Sequence, residues 1–149
     1  MRAIHTAPNT SRVALLGFLI AAFVALIGAA LMATSKIVER ALFPYAIALQ
    51  TVPVLALVTL FSVWWGPTRT ARVITCVLIS VFPLLTNFLF GLKSASTEHR
   101  DLFLVNGADR RSVFVKLTIP SALPAIFTGL RIGAGMCVIG SLVADFFFT

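Results

Sequence analysis

Acidic residues are scarce in this chain: five Asp and Glu stand against twelve Lys and Arg. None of the five lies in the long apolar stretches Val13–Ala33, Ala41–Trp65 and Val73–Leu92. A carrier that loads and releases protons generally needs a membrane-embedded carboxylate, so this absence counts against proton coupling. Histidine and cysteine are equally thin, at two each. His5 and His99 have no Cys or carboxylate partners at metal-ligand spacing, so no metal centre is expected. Cys76 and Cys137 both fall in apolar stretches, where a small buried hydrophobe is the expected role. There is no Gly-rich loop ending in Lys-Ser/Thr to cradle a nucleotide's phosphates, and no cofactor motif. No enzyme constellation is visible.

What the chain has in abundance is apolar surface. With 59% hydrophobic and 11% charged residues it is too greasy for a soluble domain. The three stretches above each supply the ~20 helical residues that cross a hydrocarbon core. A fourth, roughly Ser121–Ala144, is interrupted only by Arg131. The fold class expected is an all-α membrane protein, residues 1–149 forming one domain with four transmembrane helices. The N-terminus lacks a cleavage pattern, and Val13–Ala33 is longer than a signal core, so it reads as a retained helix.

The net charge of +7 does not point to nucleic acid, because the cations sit between the apolar segments. Lys36, Arg40, Lys93, Arg100, Arg110, Arg111 and Lys116 fall on one side, Arg2, Arg12, Arg69 and Arg72 on the other. Seven against four puts the segment from Ser94 to Pro120 in the cytoplasm and both termini outside.

Two helices carry small residues at every fourth position. The first has Gly17, Ala21, Ala25, Ala29 and Ala33; the last has Ala125, Gly129, Gly133, Cys137 and Ser141. Such stripes let helices approach closely in lipid. The second stretch holds Pro44 and Pro53, with Gln50 and Thr51 just before the latter, and a backbone carbonyl freed there must face protein or a wet cavity. Trp64-Trp65 fits an interfacial anchor, followed by a Gly66-Pro67 turn. Asn87 follows Pro83 by one turn; it either bridges the kink or points into a pore. Arg131 must snorkel, pair with a carboxylate or face a cavity. Gln50, Thr51, Asn87 and Arg131 are therefore candidates for a translocation path.

The interval Ser94–Pro124 is the one long polar stretch. Ser96 or Thr97 can cap a short helix, Asn106-Gly107 can stop it, and Asp109 can cap a second that ends near Pro120. The resulting hairpin, residues 94–120, carries Leu102, Phe103, Val105, Val113, Phe114 and Leu117, more apolar surface than a merely solvated loop needs.

Gly107, nine residues, then Leu117-Thr118-Ile119-Pro120 resembles the cytoplasmic loop of permease subunits of binding-protein-dependent ABC importers. Asp101 falls where that family has Glu, Leu102 and Phe103 where it has alanines, and Ile119 where it has Leu. Ala48–Pro53 through Trp65-Gly66, Phe82-Pro83, Asn87, Gly91-Leu92, Gly129–Ile132 and Asp145-Phe146-Phe147 resemble the sulfonate, taurine and nitrate subgroup. The resemblance covers nearly all of this chain but only part of a full permease, which continues through a Gly-rich turn and a further helix.

It implies an inner-membrane, multi-pass importer subunit working with a second permease copy, a solute-binding protein and a separate ABC ATPase that hydrolyses the ATP. Asp101, Leu102, Phe103, Val105, Gly107 and Ala108 would form the docking helix for that ATPase. The alternatives are a small proton-coupled four-helix exporter, or a non-transporting scaffold or truncated remnant.

The charge count makes a direct topological prediction. In intact cells Arg110→Cys should resist a membrane-impermeant thiol reagent and react only after lysis; labelling before lysis would invert the orientation.

Overall fold

The computed structural model describes residues 3–51, 53–66 and 68–148, without side-chain detail at 3–10, 49, 54, 55, 62, 147 and 148. Arg2 and Pro67, and the side chains of His5 and Phe147, invoked above, lie outside the described residues. Every regular element described is helical: α1 (Ala3–Thr34), α2 (Lys36–Thr51), α3 (Val54–Trp65), α4 (Arg69–Lys93), α5 (Thr97–Val105), α6 (Arg110–Val113) and α7 (Ile119–Phe148), with a π-helical turn Phe114–Thr118 joining α6 to α7.

Three helical runs are long and apolar enough to cross a membrane: Ser11–Thr34, Arg69–Lys93 and Arg110–Phe146. The second apolar stretch, expected as one span, is not one helix. It breaks at Pro53, which has φ −59° and ψ 115° and heads α3. Proline carries no N–H for the ladder and pushes the residue before it out of the helical region, so α2 ends at Thr51.

α4 is the central post, with α1 and α7 packed against it. A Cβ added at Gly17 would lie 2.6 Å from Cys76 Cβ, and one at Gly28 2.9 Å from Leu85, so α1 and α4 run parallel. Gly91 meets Ala122, Gly133 meets Leu84 and Gly140 meets Cys76, so α7 runs antiparallel to α4. Ala21, Ala25 and Ala29 on α1 are fully buried and form one core with Met32, Ala46, Leu84, Leu85, Phe88 and Leu89. Ala33 departs from its stripe and is exposed, while on α7 Gly129, Gly133, Cys137 and Ser141 are buried and Ala125 is half-buried.

The two short helices run back along this trio. At one end Ala46 of α2 joins the main core. At the other, Val58 of α3 is buried with Ala71 and Ala144. Trp64 and Trp65 stack edge to face at 6.1 Å near that second end, both exposed.

The second short helix of the polar interval was expected to stop near Pro120. Instead α6 runs through the π turn straight into α7. Ile119 N–H donates to Phe114 O, five residues back, so the ladder slips by one residue just before Pro120. Pro120 lacks an N–H in any case, and the widened turn absorbs its ring where a tight helix would clash.

Bulk on the packed face of α7 is the sensitive change. A Cβ at Gly133 would lie 2.7 Å from Leu84 Cγ, and Leu84 is itself fully buried. Gly133→Leu should lower unfolding stability in detergent by about 1–3 kcal/mol, the range of core overpacking. Val138, 52% exposed, should take Leu within about 0.5 kcal/mol. Equal tolerance at the two positions would detach stability from the α4–α7 contact.

Candidate functional site

The segment between α4 and α7 is shaped by its caps. Ser96 Oγ accepts from His99 N at 3.3 Å and opens α5. The helix closes with Gly107 N–H donating to Leu104 O at 3.0 Å and Ala108 N–H to Phe103 O at 3.0 Å. That bond pair is the Schellman closure, which needs a left-handed residue, and Gly107 sits at φ 76°. Asp109 Oδ1 then accepts from Ser112 N at 3.2 Å to start α6. Hydrogen bonds from Ser112, side chain and backbone, hold the Asp109 carboxyl below the usual carboxylate range.

This arrangement sets some of the named residues outward. Asp101 is exposed, Leu102 is 59% and Val105 86% exposed, while Phe103 and Ala108 are half-buried. Leu104, Phe114 and Val115, of which only Phe114 had been singled out, are exposed apolar side chains as well. Val113 is buried and Leu117 half-buried, so the second arm is braced against the bundle.

Ser94 is the residue the sequence reading passed over. Its Oγ lies 2.7 Å from Gly91 O and 3.0 Å from Ser121 O, tying the end of α4 to the start of α7. Nothing in its local sequence distinguishes it from an ordinary loop serine.

The four candidate path residues do not converge within this chain. Gln50 and Thr51 are exposed at the end of α2, where Thr51 Oγ1 donates to Ala48 O at 2.8 Å. Asn87 is half-buried and its Nδ2 donates to Pro83 O at 2.8 Å. It lines an open cleft of about 460 Å³ between α2 and α4, with Glu39, Phe43, Thr86, Leu89, Phe90 and Lys93. Arg131 is exposed on α7, away from that cleft.

Two ion pairs fasten the ends of α4. Lys93 Nζ pairs with Glu39 of α2. Arg72 Nη1 lies 2.9 Å from Asp145 Oδ1 of α7, with both side chains mostly covered. Arg72 Nε is buried with no hydrogen-bond partner, so the pair is the main compensation for that guanidinium. Sequence reasoning missed both pairs, because each joins residues far apart in the chain.

Among known proteins, residues 17–149 match the family described as binding-protein-dependent transport system inner membrane component. The chain belongs to this family. It is a multi-pass protein of the inner membrane, and its relatives are transport permeases rather than enzymes. It is 36% identical over 138 residues to the formylaminopyrimidine transport permease protein ThiX of Halalkalibacterium halodurans, covering 93% of this chain and 55% of that protein. It is 31% identical over 132 residues to the putative aliphatic sulfonates transport permease protein SsuC of Bacillus subtilis, with 89% and 48% covered. With the nitrate import permease protein NrtB of Leptolyngbya laminosa it shares 27% over 139 residues, covering 93% and 50%. The chain spans about half the length of these curated relatives.

The Arg72–Asp145 pair should behave as a unit. Arg72→Ala and Asp145→Ala should each destabilise the bundle, and the double variant should cost less than their sum by about 0.5–3 kcal/mol. Thermal unfolding of the three variants measures that coupling; strict additivity would mean the ion pair contributes nothing.

Proposed function

We propose that this chain is the membrane-spanning permease subunit of an ATP-driven importer of a small solute, coupled to a separate ATPase through residues 94–120. The family supports a transport role, and its description as binding-protein-dependent supports a solute-binding partner. The observation that carries the coupling is the exposed α5 end. Leu102 and Val105 present apolar surface outside the spans, on a helix whose closing turn is fixed by Gly107. Exposed apolar surface of that kind marks a binding face.

In this reading the 94–120 segment sits in a groove on the ATPase, with Asp101, Leu102, Phe103, Val105, Gly107 and Ala108 at the contact. Closure of an ATPase pair shifts it, and α4 and α7 follow because they are its two ends. Two permease copies face each other across the path. The α2–α3 pair completes a fourth crossing, supported by its packing at both ends of the trio. The solute is small, in keeping with the compounds for which the relatives are named.

The test is pull-down of the cognate ATPase. A Cβ at Gly107 meets nothing within 4 Å, so Gly107→Val acts through conformation alone. A β-branched residue at positive φ costs about 1–3 kcal/mol, and Gly107→Asn should be tolerated there. Gly107→Val should lose ATPase association, Gly107→Asn should keep it, and Asp101→Lys should weaken it with the membrane part still monodisperse. If the native chain binds no ATPase, or all variants bind alike, the coupling role is wrong and a scaffold takes its place.

A further inference from the structure

The open cleft of about 460 Å³ between α2 and α4 changes its chemistry with depth. Its mouth is charged, because Glu39 of α2 and Lys93 of α4 pair there. Lys36, one turn before Glu39, and Arg40, next to it, are both exposed at that end of α2. Three cations thus stand against one acid. Further in, the walls are aromatic, with Phe43 half-buried and Phe90 73% exposed. Beyond them lie Thr86 and Asn87, two polar side chains at the inner end.

This order follows from two facing stripes. Glu39 and Phe43 are four residues apart on α2, and Thr86, Phe90 and Lys93 recur at four and three on α4, so each set shares a face. Lys93 closes the membrane-crossing run Arg69–Lys93, which places the mouth at headgroup level. From Lys93 to Asn87 the helical rise covers about 9 Å. The interfacial layer on each side of a bilayer is ~5–8 Å thick, so Asn87 stands where the hydrocarbon begins. Asn87 Nδ2 donates to Pro83 O at 2.8 Å, and its amide carries a second N–H that can donate elsewhere.

We propose that this cleft is a binding site for an anionic phospholipid of the phosphatidylglycerol type. The phosphodiester sits at the mouth beside Lys93, Lys36 and Arg40, where the excess of cations complements it. An ester carbonyl accepts from Asn87, and the acyl chain runs along Phe43 and Phe90. A free anion would use only the mouth, whereas an amphiphile uses charge, polar floor and aromatic wall together. A choline headgroup brings its own cation to a mouth that already has a surplus. The site does not depend on the coupling proposed above.

The experiment reconstitutes the full chain carrying Phe90→Trp in phosphatidylcholine vesicles, with brominated phosphatidylglycerol or brominated phosphatidylcholine added at low mole fraction. Trp64 and Trp65, near the other end of the bundle, give a background that follows bulk lipid composition. Brominated phosphatidylglycerol should quench the new tryptophan more strongly than brominated phosphatidylcholine. Phe127→Trp, 65% exposed at its native phenylalanine on α7, should not distinguish the two lipids. Lys36→Gln and Arg40→Gln, both outside the ion pair, should each weaken the phosphatidylglycerol response about fivefold. Arg110→Gln, beyond the cleft in α6, should leave it unchanged. Equal quenching by both lipids at Phe90→Trp would overturn the site in favour of bulk lipid, and an equal loss in Arg110→Gln in favour of general surface charge. Displacement of the lipid by soluble glycerol phosphate would assign the mouth to a free phosphate instead. A reporter shielded from both brominated lipids would give the cleft to protein, such as a second copy of the chain, and equally overturn the proposal.

Discussion

Close approach of helix backbones around α4 is the constraint on which the rest of this structure depends. Lipid tails are as apolar as leucine, so burial gives membrane helices no reason to associate; intimate packing and hydrogen bonding must do it. α4 achieves this on two faces at once. Toward α1 it meets Gly17 and the fully buried Ala21, Ala25 and Ala29. Toward α7 it offers Leu84, the largest fully buried side chain among the described residues, to the bare backbone at Gly133. Near the other end Cys76 and Cys137 lie close enough for each thiol to approach the other's carbonyl, at 3.7 and 3.6 Å. Ser80 adds a hydroxyl 3.1 Å from Cys137 Sγ. Small side chains thus allow contact, and weak polar contacts fix its register.

The prolines show how the same bilayer constraint has different outcomes by position. At Pro53 the chain gives up the helix and begins another. At Pro83 and Pro124 the helix continues, and neighbouring polar side chains donate to backbone oxygens nearby: Thr86 and Asn87 to Pro83 O, and Thr128 to Pro124 O. At Pro120 the ladder widens into a π turn instead. The carbonyl that a proline frees lies four residues before it, so the bonds to Pro83 O and Pro124 O brace the helix just after the ring, while the π turn changes the ladder itself.

Much of this was legible in the sequence because it depends on local rules. Ser96, Asp109 and the Asn106-Gly107 stop act within four residues of themselves, so composition and spacing suffice to place them. The small-residue stripes follow from helical period, although Ala33 shows that a stripe outlasts the neighbour it packs against. What escaped was non-local or cooperative. The break at Pro53 could not be told from a kink, since Pro44 and Pro83 sit inside continuous helices. Nor does the sequence say that a π turn would carry α6 through Pro120. The pairings of Arg72 with Asp145 and Lys93 with Glu39 require knowing which helix ends share a side. Ser94 needed the packing of α4 on α7 before its hydroxyl had a second acceptor.

That serine bears on how force would pass through the molecule. The segment from Ser94 to Thr118 leaves α4 and returns as α7, and its two ends are held together at Ser94 and Ser121 rather than splayed. Lys93, one residue earlier, ties the same corner to α2 through Glu39. A push on the exposed end of α5 therefore reaches a corner where three helices are joined, and not a single free strand of chain. The second arm differs from the first. It enters α7 through a π turn, whose wider hydrogen bonding yields more readily than an α-helix. Under the coupling proposed above, a corner tied on one side and a π turn on the other would let α7 swing when α5 is displaced. Arg131 lies on the exposed face of that helix, so movement begun at the polar segment would carry it along.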